Sequence, residues 1–394
     1  APASLIDSVY VSGATTGIEW VGGGPVIKRA VVLSSRGAGI HTVTPPGAPV
    51  TIDSSYVLFN AGSGIVALAD SAGEVAIRGN RVIFNSGDGI SYSLAGPLSA
   101  GSVLLSGNTC RANGGAGVAC GRGGQNTLIT ANLTTENLHG IVLDSYGWNQ
   151  NRPQIQGNTV LRNRVSGIRA ANGARPDVLT NQIYLNVEHG IHAVNNAVPN
   201  VLGNTITQSR YGVRADSAAT VALDANGAPG NNLLHDHSVF DVANYTGNAI
   251  AATGNFWGRA TTAEMNQKGV NGNISTIWDG RDNPQRGIVN FAGWQSPPNM
   301  APVLAMSAPS QAGPVNDTLS FTWTATDPDA GDDPQLMFYY DTDRDARGGT
   351  AIPLASNIKM TDPPGLAWDV HQVPSGRYYI YGVADDGKDS TTSV

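Results

Sequence analysis

His139, Arg169, His189, His192, Tyr211 and Arg214 are the residues of this chain best suited by type and spacing to act on a ligand. His189 and His192 flank one Gly-Ile pair, Arg169 follows another, and His139, Tyr211 and Arg214 hold the matching places of neighbouring segments. Asp144 and Asp216 stand two residues further along. An acidic polysaccharide is the substrate such a set suits. Lyase or epimerase chemistry at a uronic acid needs a cation against the carboxylate, a base at C5 and an acid for the leaving oxygen. Arg, His and Tyr supply these in that order. The same residues equally suit the solvated outer face that any repeat protein must have, and both readings stand.

Asp341-x-Asp343-x-Asp345 is a second candidate, because calcium prefers carboxylate oxygens. Ala346 and Ile352 occupy the sixth and twelfth positions, where an EF-hand loop carries Gly and Glu. Solvated turn acids are the competing reading, and it covers Asp327, Asp329, Asp332 and Asp333 too. No cofactor is expected apart from that calcium. Cys110 and Cys120 lack metal-ligand spacing and are too few for a disulfide scaffold. Whether they bond to each other stays open.

The elements that position these residues show in a repeat. A Gly-Ile or Gly-Val pair begins at Gly17, Gly39, Gly64, Gly89, Gly117, Gly140, Gly167, Gly190 and Gly212, at intervals of 22 to 28 residues. Asn60, Asn85, Asn113, Asn163 and Asn186 lie four residues before a glycine, and Asn137 lies three before. A second asparagine set, Asn80, Asn108, Asn132, Asn158 and Asn181, lies five residues earlier. This period suits one solenoid coil of three short strands, with asparagine at two corners. Asn tolerates the left-handed backbone of a sharp bend, and stacked amides can bond from coil to coil. An α-helical repeat fails, because Gly and Asn recur in every copy and both disfavour helix interiors.

Asn-x-x-x-x-Asn-x-x-x-Gly-Ile resembles the coil repeat of the right-handed parallel β-helix family, the pectate-lyase-like superfold. The resemblance spans about residues 4 to 250. It implies the fold, but lyases, hydrolases, epimerases and non-catalytic surface proteins share that fold. The paired-aspartate and Gly-His-Gly pattern of polygalacturonase-type hydrolases is absent, and so is the Asp-Pro-His stretch of alginate-epimerase-like proteins. Gly254-Asn255-Phe256-Trp257-Gly258 resembles the closing segment of bacterial members, which places Phe256, Trp257, Trp278, Phe291 and Trp294 over the last coil. An aromatic sugar-binding platform is the alternative for these five.

Beyond Pro297-Pro298-Asn299 the glycine ladder stops and alternating strands appear at Leu319 to Ala325, Leu336 to Tyr340, Leu366 to Val370 and Arg377 to Val383. They resemble an immunoglobulin or fibronectin III module. The expected architecture is all-β: a right-handed parallel β-helix over residues 1–260, its cap and linker over 261–298, and a small antiparallel β-sandwich over 299–394. The sandwich is expected to be truncated or to accept a strand at Val394.

A formal charge of −7 argues against nucleic acid as a partner, since phosphate binding needs a basic face. No run of about 18 apolar residues is present, so no segment is expected to insert in a membrane. The leading expectation is an extracellular or cell-surface structural or adhesive protein that joins copies of itself end to end. A polysaccharide lyase or epimerase, and a non-catalytic carbohydrate-binding protein, are the alternatives.

Overall fold

The structure is a computed structural model that describes residues 4–69, 73–94, 101–121, 126–144, 152–296, 300–308, 313–315, 317–329, 332–343, 348–353, 358–387 and 389–393. It divides into two compact units, residues 1–297 and 298–394.

The first unit is a right-handed parallel β-helix. Each coil gives one short strand to each of three parallel sheets, which contain nine, ten and eleven strands among the described residues. The pairing is in register from coil to coil. Ile65, Ile90, Val118, Ile141, Ile168, Ile191 and Val213 are direct partners down the third sheet. All seven are fully buried. The alternation of side chains along a strand sends each residue after these outward, and that is how the sequence reads.

Glycine precedes this column because coils approach closely there. A Cβ on Gly190 would lie 2.5 Å from Ile206 Cγ2 and 2.7 Å from the Gly212 carbonyl oxygen.

Buried asparagines line the two corners. Asn132 Nδ2 donates to Asn158 Oδ1 at 3.0 Å and to the Leu105 carbonyl at 2.8 Å. Its own Oδ1 accepts the backbone N–H and the Nδ2 of Asn108, both at 3.0 Å. The same exchange repeats along both ladders. The ladder of Asn132 and Asn181 runs on through Asn204, Asn232 and Asn255.

The corner bend itself is one residue earlier than expected. Left-handed φ falls on the residue before each ladder asparagine, as at Gly79, Gly107, Phe59, Phe84 and Leu185, and not on the asparagine. The amide must point inward to reach the next coil, so its neighbour takes the turn. Phe59 and Phe84 do this at φ 57° despite their bulk, and their exposed rings stack 5.2 Å apart.

Phe256, Trp257 and Phe291 are buried at the C-terminal end of the coils, as a cap requires. A helix, Arg259–Lys268, contributes Met265 to the same cluster. Trp278 differs. It sits on the third sheet, paired with Ala243, and Ile277 takes the inward place. Cys110 and Cys120 are free thiols buried in the core.

The second unit has a sheet of Val303–Ala308, Thr318–Thr326 and Gly365–Asp369, all antiparallel. A second antiparallel sheet is built on Gln335–Asp341 and Tyr379–Asp385, with Ser390–Ser393 paired to the latter. Phe321, Trp323, Leu336, Phe338 and Trp368 fill one core between them, which makes it a β-sandwich. Pro297, Pro298, Asn299 and Val394 lie outside the described residues.

Candidate functional site

The six residues singled out by type do converge on one face of the third sheet. Parallel in-register pairing stacks equivalent positions of successive coils in columns. His139, Ser166, His189, Tyr211 and Phe240 form one column. Val142, Arg169, His192, Arg214, Ala243 and Trp278 form the next.

The first column is more enclosed than a solvated face would be. His189 is only 7% exposed, and its Nδ1 lies 3.2 Å from Ser166 Oγ. Nε2 of His189 and Nδ1 of His139 are buried without a hydrogen-bond partner. Burial lowers the His139 pKa to about 4, helped by the charge of Arg169. Burial also takes His189 to about 3, with His192 and Arg214 adding to the effect. Both rings are therefore neutral at neutral pH.

The second column is polar and paired. Arg214 Nε donates to Asp216 Oδ2 at 2.7 Å, and His192 Nε2 lies 2.9 Å from the same oxygen. Burial alone would raise the Asp216 pKa, but these hydrogen bonds outweigh it and hold the carboxyl at about 2. Arg169 and Asp144 are 3.8 Å apart.

Aromatic rings continue the face. His189 stacks on His192 at 4.5 Å and on Tyr211 at 5.6 Å. Tyr211 contacts Phe240, Phe240 contacts Trp278, and Trp278 contacts Tyr245, with centroids 5.8 to 6.2 Å apart. The Arg214 guanidinium lies over both Tyr211 and Tyr245, at 5.2 and 4.7 Å. Beside it opens a cleft of about 530 Å³ lined by Arg214, Asp216, Ser217, Tyr245, Asn248 and Arg286, among others.

Sequence reasoning did not reach Phe240, Tyr245 or Arg286. Phe240 was accessible by continuing the column past Tyr211, but after that 29-residue step Asp241 stands where the glycine would mark the register. Tyr245 and Arg286 belong to the last coils and the cap, where no repeat announces them.

The other candidate set lies partly outside the described residues. Asp345 lies outside the described residues, so the Asp341, Asp343 and Asp345 run stands as sequence alone. The carboxylates that do gather are Asp327, Asp329 and Asp332, whose oxygens lie within 4.8 Å of one another. They are the only group of three such ligands among the described residues.

The buried histidines make stability depend on pH. His139 and His189 bind protons in the unfolded chain near 6.5 but in the folded chain only near 4 and 3. Their contribution is thus complete above 6.5 and is lost as pH falls through that window. His237, lowered to about 4 chiefly by burial, acts in the same direction. Asp241 acts oppositely: burial raises it to about 7, so its contribution is lost as pH rises from 3.8. Three histidines against Asp241 and Asp88, the latter also raised by burial, predict a melting temperature that climbs from pH 4 to 6.5. A His189→Gln chain should climb less steeply in the same thermal scans. Equal slopes would contradict the burial of His189.

A family model described as "Periplasmic copper-binding protein (NosD)" matches residues 23–262. The span covers most of the coils and their face through Tyr245, and stops short of Trp278 and Arg286. No curated protein and no solved structure matches the chain. No helix among the described residues is long and apolar enough to cross a membrane. Since the match takes in more than half of the chain, this protein belongs to the NosD family of periplasmic parallel β-helix proteins.

Proposed function

We propose that this chain is a non-catalytic carbohydrate-binding protein of the periplasm, holding a polysaccharide along the outer face of its third sheet. The half-buried row Phe240, Trp278 and Tyr245, backed by the buried Tyr211, carries this reading. Sugar rings pair an apolar face with hydroxyl edges, so aromatic rings beside hydrogen-bonding groups are what they need. Asp216, His192, Arg214 and Asn248 supply those groups here. The row crosses successive coils, as an extended polymer would.

Catalysis fits less well. A base must reach the proton it takes, and His189 buries its free ring nitrogen. Asp216 occupies two of the nitrogens of Arg214. The face holds a chain better than it cleaves one.

The family's description names copper, where the sequence led us to expect no metal except calcium. The donors on this face do not suit it. A metal–nitrogen bond lies in the plane of an imidazole and is about 2 Å long. His189 and His192 are stacked 4.5 Å apart with planes inclined by 21°, so their lone pairs run side by side and do not meet. The soft donors are no nearer: burial keeps the Cys110 thiol protonated and pushes Cys120 up to about 12. The three gathered aspartates offer hard oxygens, which suit calcium better than copper.

Calorimetry against a panel of soluble polysaccharides tests the reading. At least one polymer should bind, and Trp278→Ala should weaken it about tenfold or more, the equivalent of about 1.4 kcal/mol. Retained affinity in Trp278→Ala, or no binding by the native chain, would overturn it.

A further inference from the structure

We infer that the cleft beside Arg214 is a subsite for the carboxylate of a uronic acid, so that the bound polysaccharide is an acidic one. This rests on the carbohydrate reading above and narrows it. The charge of the lining is the first observation. Arg214 and Arg286 face the cleft, and Asp216 is the one acid among the residues that line it. The excess is one positive charge, in a chain whose formal net charge is −7.

Hydrogen bonding is the second observation. Asp216 takes Nε and Nη2 of Arg214, and Nη1 has no acceptor among the described residues. Arg286 gives Nη1 to the Tyr245 carbonyl. Its Nε is sealed from the cleft, but no carboxylate among the described residues neutralises the guanidinium. A guanidinium matches a carboxylate in plane and spacing.

Size and surroundings agree. A volume of about 530 Å³ falls within the range of ligand pockets. Tyr245 forms one wall and continues into the aromatic row, so a sugar in the cleft belongs to the same chain as sugars on Trp278. Ser217 and Asn248 bring further polar groups to the lining.

The test compares polygalacturonate with its fully methyl-esterified form by calorimetry on the intact chain, with dextran sulfate as a third polymer. The acid form should bind at least tenfold tighter than the ester, and the advantage should shrink as salt is raised. Arg286→Gln should bind the acid form no better than the ester while melting near the native temperature. The comparison on the native chain needs no variant, so a misfolded Arg286→Gln leaves the test intact. Equal binding of acid and ester would overturn the subsite and leave the carbohydrate reading standing. Preference for dextran sulfate over polygalacturonate would overturn the carboxylate assignment. If no polysaccharide of the wider panel binds, the carbohydrate reading itself falls.

Discussion

Replacing Ile141 with Asp should abolish the cooperative unfolding of the β-helix. Ile141 is fully buried, paired with Val118 on one side and Ile168 on the other. A carboxylate there would meet only apolar neighbours, and burying an unpaired charge costs many kcal/mol before the group neutralises. Even the neutral acid would lack a hydrogen-bond partner. Whole domains are stable by only about 5–15 kcal/mol. In a solenoid each coil is held by its neighbours, so damage at a central coil spreads to both sides. Urea titration followed by circular dichroism should show loss of the main transition. A native-like midpoint would mean that the position does not face the core.

Asn132→Leu should be the second most damaging change, although it makes the corner more apolar. Leucine keeps the branched shape and removes five hydrogen bonds, one of them to the Thr130 carbonyl. The backbone N–H and Nδ2 of Asn108 lose their acceptor, and the Leu105 carbonyl loses a donor. Asn158 Oδ1 loses one of its donors as well. Orphaning a buried polar group costs about 1–3 kcal/mol each, which sums here to the order of 3–6 kcal/mol. Gln182→Ala, on an exposed strand position, is the control and should stay within about 0.5 kcal/mol. If the two variants unfold at the same urea concentration, the ladder contributes nothing and the corner is held by backbone bonds alone.

The coils were legible because the glycine pair and two asparagines recur at fixed offsets, and each offset has one geometric meaning. Asn60, Asn80 and their counterparts could be placed at corners from spacing. Which residue of the corner bends could not, since Phe59 and Leu185 carry no mark of a left-handed backbone. The face of His139, Arg169, His189, His192, Tyr211 and Arg214 followed from register. The depth of His189 did not, because it depends on how His192 and Tyr211 stack over it. Trp278 was read with the cap residues since it is near them in sequence, yet strand pairing draws it onto the third sheet. Arg286 had no signal: an irregular segment brings it to Tyr245, and nothing periodic foretells that meeting.

Coil length varies almost wholly at the third corner. Two residues separate the first-sheet strand from the second-sheet strand in coil after coil, as between Asp53 and Tyr56 or Gln156 and Thr159. The stretch from the third sheet to the next coil varies instead: five residues part Ala69 from Val75, but nine part Asp144 from Gln154. Asp216, Ser217 and Ala218 of the cleft stand at this same corner. For evolution, this is a division of labour within each coil. Mutational insertions there leave both asparagine ladders in phase, so a lineage can redraw the rim of its binding face while inheriting the scaffold unchanged.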